Sequence, residues 1–319
     1  MPANLNIGDL VTSTLEAYFD GLEDNVTNNN ALSRVLKSRK KIKEYQGGRE
    51  IREPILYGNN SSVQFFENYD TFSPPTTGQE VMDEAAFSWK QLGGFISLSG
   101  REEAINRGEF VKQEFVKARI TQLQAVLNNV FSASLFSDGT ASGGKELTGL
   151  RAAVADNPVT GTYGGINRAT GGNEFWRNKF SAAVATNAAN IQSRMNDLYL
   201  SIIRGQDAPD LIVSGYTLFR NYEDSVQAIQ RIGNADEADA GYTSYKYKGA
   251  DIVAEFNCAN TRMYFLDTEV LQLRTQSGRV FDKGEKRVVT NADYCVWPVF
   301  FMGNLTTSRA ASHGVLLAT

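Results

Sequence analysis

Hydrophobic positions recur with the period of an α-helix from residue 109 to about residue 136. They are spaced by three and four, and they are Phe115, Val116, Ile120, Leu123, Leu127, Val130, Phe131 and Leu135. This spacing predicts one helix from Glu109 to about Phe136, which Ser137-Asp138-Gly139 would end. Roughly 28 residues would form a rod on the order of 42 Å long. A helix so far above the mean length indicates a spine for an extended molecule.

The segment before this helix alternates between apolar and polar positions, as strands do. Arg49–Tyr57 is predicted to be a strand, Gly58–Ser61 a turn, and Val63–Phe66 the return strand. Glu84–Ser99 is predicted to be a further extended segment. A two-stranded ribbon with little core of its own is marginal in isolation. We therefore expect this ribbon to need a partner surface.

The remaining elements mix helices and strands, which predicts an α+β fold. Two short helices are predicted within residues 8–36, separated by Asn25 and Asn28–Asn30, and residues 139–176 are predicted to be a Gly-rich loop region. The other predicted elements are a helix over residues 191–202, a buried strand at Asp210–Val213, a helix from Tyr216 to about Ile232, strands at 250–255, 263–266 and 270–274, and an extended stretch, Tyr294–Leu305.

Composition is that of a globular protein, with 42% hydrophobic and 21% charged residues among 319. We find no apolar run long enough to span a bilayer and no signal peptide, so we expect a protein that is made and kept in a cytoplasm, or in something assembled there. Cys258 and Cys295 are the only cysteines, and we expect both to be buried free thiols.

A formal net charge of −4 argues against a dedicated nucleic-acid binder. A local basic run nevertheless follows the N-terminal helices, and it consists of Lys37, Arg39, Lys40, Lys41 and Lys43. One interpretation is a solvated helix face or a subunit contact. The other is a patch that attracts the phosphates of DNA without sequence preference.

Candidate chemistry is sparse, so we expect no enzyme, no cofactor and no metal. The single histidine, His313, is predicted to be a solvent-exposed residue of the C-terminal tail, which leaves no histidine for a relay or a metal site. Gly139–Lys145 resembles a phosphate-binding loop, but the next residue is Glu146 instead of Ser or Thr. The loop also follows a helix and not a strand, which opposes nucleotide binding.

The order of these elements resembles the Hong Kong 97-type fold of tailed-bacteriophage major capsid proteins. The residues that carry the resemblance are Asn25–Leu32, Gly47–Ile51, Phe87–Gln91, Leu135–Thr140, Pro209–Val213, Tyr247–Asp251 and Met263–Leu266. Each motif is weakly specific, and their joint order covers about the whole chain. The resemblance implies an N-arm at 1–45, an extended E-loop at 46–98, a P-domain at 99–180 with the spine helix, an A-domain at 181–290, and a return to the P-domain at 291–319.

The resemblance also implies partners. Copies of the chain would form hexamers and pentamers of an icosahedral shell around phage double-stranded DNA, assembled in the bacterial host cytoplasm, with a portal and in some cases a cement protein. Because Met1 directly precedes arm-like sequence, we expect a separate scaffolding protein. Lys90 is the only lysine near the ribbon, so we expect no covalent crosslinking. An encapsulin-like nanocompartment shell is the alternative function.

The residues that we expect at subunit interfaces lie on the ribbon. They are Arg49, Glu50, Arg52, Glu53, Phe65 and Phe66. The four charged residues alternate in sign and could form intersubunit ion pairs, each worth about 0–1 kcal/mol when exposed. An equally weighted interpretation is that these charges keep an edge strand soluble.

Overall fold

The computed structural model describes residues 30–58, 63, 65–71, 82–105, 109–205, 207–226 and 245–319, and only the backbone of 103–105, 109–117 and 282–283. The helices are α1 (Ala31–Ser38), α2 (Gly100–Ile105), α3 (Glu109–Leu135), α4 (Ala141–Gly144), α5 (Leu150–Ala153), α6 (Ile191–Ile202) and α7 (Tyr216–Val226). The strands are β1 (Ile42–Tyr45), β2 (Glu50–Leu56), β3 (Met82–Ser88), β4 (Lys90–Ser99), β5 (Thr162–Tyr163), β6 (Ile166–Asn167), β7 (Lys179–Val184), β8 (Leu211–Ser214), β9 (Tyr245–Tyr247), β10 (Ala250–Ala254), β11 (Arg262–Leu266), β12 (Leu271–Gln276), β13 (Asp282–Lys283), β14 (Arg287–Val288), β15 (Tyr294–Thr307) and β16 (Gly314–Ala318). The chain is an α+β protein, as its sequence predicts.

The 14-residue strand β15 organises the first sheet. It pairs in antiparallel fashion with β4 over most of its length and with β12 near its end. Strands β13 and β14 pair with other parts of it, and β1 extends the sheet by pairing in parallel with β12. The predicted stretch Tyr294–Leu305 is confirmed, and the strand continues to Thr307.

The predicted spine helix is confirmed as α3, which ends one residue before the predicted end. Its apolar face lies on the first sheet, where Leu127, Phe131 and Leu135 are almost fully buried. The ring of Phe131 meets the ring of Phe301 on β15 edge-on, with centroids 5.1 Å apart. The spacing of these residues therefore favours a helix and also places them on the side of it that packs against the first sheet.

The second sheet has the strand order β7-β16-β11-β8-β10-β9. Its central strand β8 is buried at all four positions, as predicted for Asp210–Val213. Helix α6 covers the sheet with Ile191, Met195, Leu198 and Ile202, which are buried at helical spacing. The predicted helix–strand–helix order is thus confirmed, and the predicted end of the second helix lies outside the described residues.

Helix α1 begins where the run of asparagines predicts. The side-chain oxygen of Asn30 accepts a hydrogen bond from the Ser33 backbone N–H at 3.1 Å, which is an N-cap. The carboxylate of Glu255 accepts from the backbone N–H of Ala31 at 2.9 Å. The second of the two predicted N-terminal helices is therefore confirmed, and the first lies outside the described residues.

The return strand of the ribbon is not the predicted one. Strand β2 pairs with β3, from Glu50 opposite Ser88 to Leu56 opposite Met82, whereas Val63, Phe65 and Phe66 lie in no strand. The reason is burial. Every second residue of β2 is buried against the rest of the subunit, which we call the body. Its partner strand must therefore present apolar residues on the same face, and β3 does so with Ala85 and Phe87. The segment Val63–Phe66 has only four residues and ends in two adjacent phenylalanines, so it cannot match the alternation of the seven-residue strand β2.

The prediction for His313 is wrong, because this residue is fully buried. Its Nδ1 accepts from the backbone N–H of Asp267 at 3.3 Å, and its Nε2 lies 2.9 Å from Oγ1 of Thr307. The cause is the end of the chain, which forms the interior strand β16 between β7 and β11. A residue that directly precedes an interior strand is itself inside.

Burial lowers the pKa of His313 to about 3, and the positive charge of Arg309 acts in the same direction. An unfolded chain binds a proton at this imidazole below about pH 6.5, which the folded chain does not do until much lower pH. The stability contributed by the neutral imidazole is therefore fully present above about pH 6.5 and is lost as the pH falls toward 3.

We predict that His313→Gln flattens the acid side of the stability profile. From about pH 7.5 to pH 5.5, the free energy of unfolding of the wild type should fall by about 1.4 kcal/mol more than that of the variant. Urea unfolding of the subunit at both pH values measures the difference, since the carboxylates titrate in both proteins. Equal pH dependence in the two proteins would contradict the prediction.

Candidate subunit interface

The base of the ribbon is supported by the chain itself. Strand β2 alternates between exposed and buried positions, and its buried positions face the body. Tyr57 stacks on Phe175 with ring centroids 4.4 Å apart, and Phe87 meets Tyr163 edge-on at 5.1 Å. Gly164 approaches so closely that a Cβ there would lie 2.9 Å from the side chain of Phe87. The expectation of an unsupported ribbon is therefore wrong for its base, because the Gly-rich segment forms a seat for it.

Glu53 does not lie on the outer face where intersubunit pairs were expected. Its side chain is buried and binds Arg274 of β12 through two hydrogen bonds, from Nε at 2.7 Å and from Nη2 at 2.9 Å. Thr306 of β15 donates to the same carboxylate at 3.1 Å. Glu53 is thus an internal ion-pair residue. The alternation of sign along the ribbon does not reveal that one of the four charges points inward.

The other three charged residues of the ribbon are exposed. Arg52 pairs across the ribbon with Glu84, and the two side chains keep 62% and 54% of their surface. Arg49 and Glu50 are also exposed. A pair this open to solvent contributes about 0–1 kcal/mol. These three side chains remain predicted, untested contacts to another copy.

The far end of the ribbon exposes a set of large apolar side chains, which we call the ribbon tip. It consists of Leu56, Val63, Phe65, Phe66, Tyr69 and Met82. Phe65 and Tyr69 are essentially fully exposed, at 107% and 99%. Soluble monomers rarely expose so many large apolar side chains within one segment unless the segment binds something. The two predicted interface phenylalanines are thus exposed, and their role at an interface remains a prediction.

A second surface with exposed apolar side chains, of mixed polar and apolar lining, lies between β4 and α3. A groove of about 340 Å³ is lined by Phe95, Ile96, Ser97, Arg119, Gln122, Leu123 and Val126. Phe95 and Val126 are 61% and 53% exposed, and Val130 continues the exposed surface one helical turn further on. Sequence reasoning missed this surface because Val126 and Val130 resemble core positions. The available signal was that they form a second i, i+4 row beside Leu123 and Leu127.

The basic run does not form one patch. Arg39 points inward, where it binds the carboxylates of Asp210 and Asp251 and the hydroxyl of Thr268. Lys40 has a positive φ of 57° and ends α1 in the left-handed conformation. The chain reverses there, and Lys40 and Lys43 are exposed. Arg39 is thus lost from any DNA-facing patch, and the exposed lysines keep that role as a prediction.

The segment that resembles a phosphate loop is a local turn. It follows α3, and Ser142 and Gly143 have φ values of 54° and 68°, which interrupt the short helix α4. The ammonium group of Lys90 donates to the carbonyl of Gly144. A phosphate site requires a helix N-terminus that points its N–H groups at the ligand, and this turn has no such helix.

Other chemistry is equally sparse in the part of the chain that the structure describes. Cys258 and Cys295 are free thiols, as predicted, although only Cys258 is fully buried. Burial raises the pKa of Cys258 to about 12, which leaves its thiol unreactive near neutral pH. Across residues 30–319, within those described, no group of three metal-ligating side chains occurs. No helix among the same residues is long and apolar enough to cross a membrane.

The fold is shared with solved capsid structures. No protein-family model matches the sequence, and no curated protein does. The capsid asymmetric unit of cyanophage A-1(L) is 15% identical, with a TM-score of 0.58 over 87% of this chain and 90% of that chain. The capsid of Myoviridae phage XM1 is 10% identical, with a TM-score of 0.54 over 89% and 92%. The chain has the fold of phage capsid proteins. This confirms the predicted fold class.

The capsid fold is not confined to phages. The SrpI encapsulin of Synechococcus elongatus is 8% identical, with a TM-score of 0.52 over 88% of this chain and 86% of that chain. At such identities the likeness concerns the fold alone. The boundaries of the N-arm, E-loop, P-domain and A-domain given above remain predictions for this capsid fold.

We predict that Phe65→Ser leaves the subunit folded and weakens its association with other copies. Because Phe65 is fully exposed, the free energy of unfolding should change by no more than about 0.5 kcal/mol. Sedimentation velocity should show a clear loss of oligomers, whereas the control Phe65→Leu, which keeps an apolar side chain, should associate like the wild type. Wild-type sedimentation of Phe65→Ser would contradict a role for the tip in association.

Proposed function

We propose that this chain is the major capsid protein of a tailed phage, a structural protein and not an enzyme. Copies would form hexamers and pentamers of an icosahedral shell around double-stranded DNA. The observation that carries the proposal is a capsid fold whose ribbon keeps its base on the body and its apolar tip exposed. An exposed tip of this size is costly for a monomer and is useful in a shell, where another copy covers it.

The groove between β4 and α3 supports self-association. It offers the apolar side chains of Phe95 and Val126 to an incoming apolar segment, and Arg119 lies at its side, bound to Glu102 at 2.6 Å. Because each copy carries both a tip and a groove, it could insert its tip into one neighbour and receive the tip of another. Contacts of this kind can close a ring. Many weak contacts of this kind together stabilise a shell.

The partners in this proposal follow from the role. They are other copies of the chain, a separate scaffolding protein, a portal, a cement protein in some particles, and packaged DNA. Contacts to DNA would be non-specific and would involve the exposed Lys40 and Lys43. The shell would be assembled in the host cytoplasm and would reside in the virion.

An encapsulin-like shell is the second candidate, and the likeness to the SrpI encapsulin favours it. The two functions differ in what the shell encloses, namely DNA or cargo protein. Nuclease treatment and mass spectrometry of purified particles separate them.

We predict closed shells, tubes or capsomers in electron micrographs of the chain expressed alone or with its neighbouring genes. The expected result rests on self-association through the ribbon tip. Particles with nuclease-protected DNA support the phage function, and particles filled with one cargo protein support the alternative. A monomer under all these conditions would overturn both.

We predict that deletion of residues 58–75 abolishes shells and leaves a folded subunit. The contacts of the ribbon base, such as Tyr57 on Phe175, lie outside the deletion, and residues 76–81 remain to close the ribbon. Circular dichroism and thermal unfolding check the fold, and electron microscopy checks assembly. Normal shells from this variant would refute the role of the tip.

A further inference from the structure

The ribbon leaves the body through two adjacent hinge segments. On one side, Gly47 and Gly48 have φ values of +78° and +97°, which glycine adopts without strain. On the other side, Trp89 separates β3 from β4. The indole N–H of Trp89 donates to the carbonyl of Gly48 at 3.0 Å, so the two segments lie side by side. This arrangement would let the ribbon swing unless something beyond the hinge fixes its angle.

Two side chains of the first sheet bind the ribbon, one next to this hinge and one beyond it. Arg274 of β12 and Asn304 of β15 are directly opposite each other in the ladder, so their side chains lie on the same face. Arg274 binds Glu53 of β2 through its two nitrogens. Asn304 donates from Nδ2 to the carbonyl of Ser88, in β3, at 3.0 Å. One cross-strand pair therefore holds both strands of the ribbon.

The same two side chains are themselves fixed. Tyr45 of β1 lies over the guanidinium of Arg274, with 4.7 Å from Cζ to the ring centroid. Oδ1 of Asn304 accepts from the backbone N–H of Thr148 at 2.9 Å, which connects it to the segment after α3. Both residues are buried, at 5% and 0% exposure. The attachment points are thus rigid on the body side.

Hydrogen bonds can define an angle, whereas apolar packing cannot. Apart from the backbone hydrogen bond from Ala86 to Gly164, the other contacts described for the ribbon base are apolar, such as those of Ile51 and Ile55, and such contacts tolerate sliding. A bidentate pair of guanidinium and carboxylate has a fixed planar geometry. Buried ion pairs contribute little net stability compared with apolar residues of similar volume. The fixed geometry of the pair of Glu53 and Arg274 therefore explains its presence here better than a gain in stability does.

We propose that Arg274 and Asn304 are positioning residues for assembly, which set the angle of the ribbon and thereby the place where its tip meets another copy. This inference rests on the proposed shell function. Glu53 and the carbonyl of Ser88 are the ribbon's side of this two-point attachment. Neither positioning residue touches the neighbouring copy in this scheme.

The test replaces the ion pair by apolar residues of similar size, in the double variant Glu53→Leu/Arg274→Met. The control is Glu84→Gln, which removes the exposed ion pair of the same ribbon and leaves Arg52 in place. Thermal unfolding should place the double variant at or above the wild-type midpoint, since no buried charge is left unpaired. Electron microscopy should show shells of mixed diameter or irregular shape for the double variant and normal shells for the control.

A second measurement follows the ribbon in the unassembled subunit. The backbone N–H of Ala86, in β3, donates to the carbonyl of Gly164 in the seat, at 2.9 Å. Its hydrogen exchange therefore reports when the ribbon leaves the body. In Glu53→Gln, exchange at Ala86 should be faster by about a hundredfold, the order expected when a buried charge loses its partner. The control should match the wild type.

Uniform wild-type shells from the double variant, with wild-type exchange at Ala86, would overturn the positioning role. If the wild type forms no shells at all, the proposed function fails. The exchange experiment then still decides whether the two-point attachment holds the ribbon. The two failures are therefore distinguishable.

Discussion

Strand β15 is the constraint on which the rest of the structure depends. It pairs with β4 on one side and with β12 near its end, so the ribbon and the N-terminal β1 are both connected through it. Its Phe301 packs against Phe131 of α3. Its Thr307 contacts His313, the residue directly before β16 of the second sheet. Contacts with this one strand thus fix the positions of the spine helix, the ribbon and the second sheet relative to one another. A change in its register would move every one of them.

Buried polar groups lie at the points in this core where the relative orientation of two segments has to be fixed. Glu53 with Arg274, Asn304 with Ser88 and Thr148, and His313 with Asp267 all join segments that are distant in sequence. Apolar residues fill the space between them. Buried polar groups cost free energy unless they are paired, so a core that keeps them gains specificity of arrangement more than stability. This division agrees with the proposed role of the ribbon, which is to present an apolar tip at a defined angle.

The sequence predicts local elements well and distant pairings poorly. The spine helix and the strand at Asp210–Val213 are correct because periodicity and burial are local signals. The return strand is wrong because its choice depends on which segment matches the buried face of β2. Glu53 is misplaced for a similar reason, since its partner Arg274 lies 221 residues away. No spacing rule reaches that far.

The fold alone does not fix the function, because phage capsids and an encapsulin share it. What a shell protein needs beyond the fold is a surface that is stable only when another copy covers it. Here the ribbon combines a supported base and an uncovered tip in one element. Its base is held by buried polar bonds and apolar packing, and its tip exposes Phe65 and Tyr69. A ribbon that were buried throughout would give a monomer, and one exposed throughout would collapse or aggregate. The division between base and tip is therefore the feature that makes assembly the function to expect.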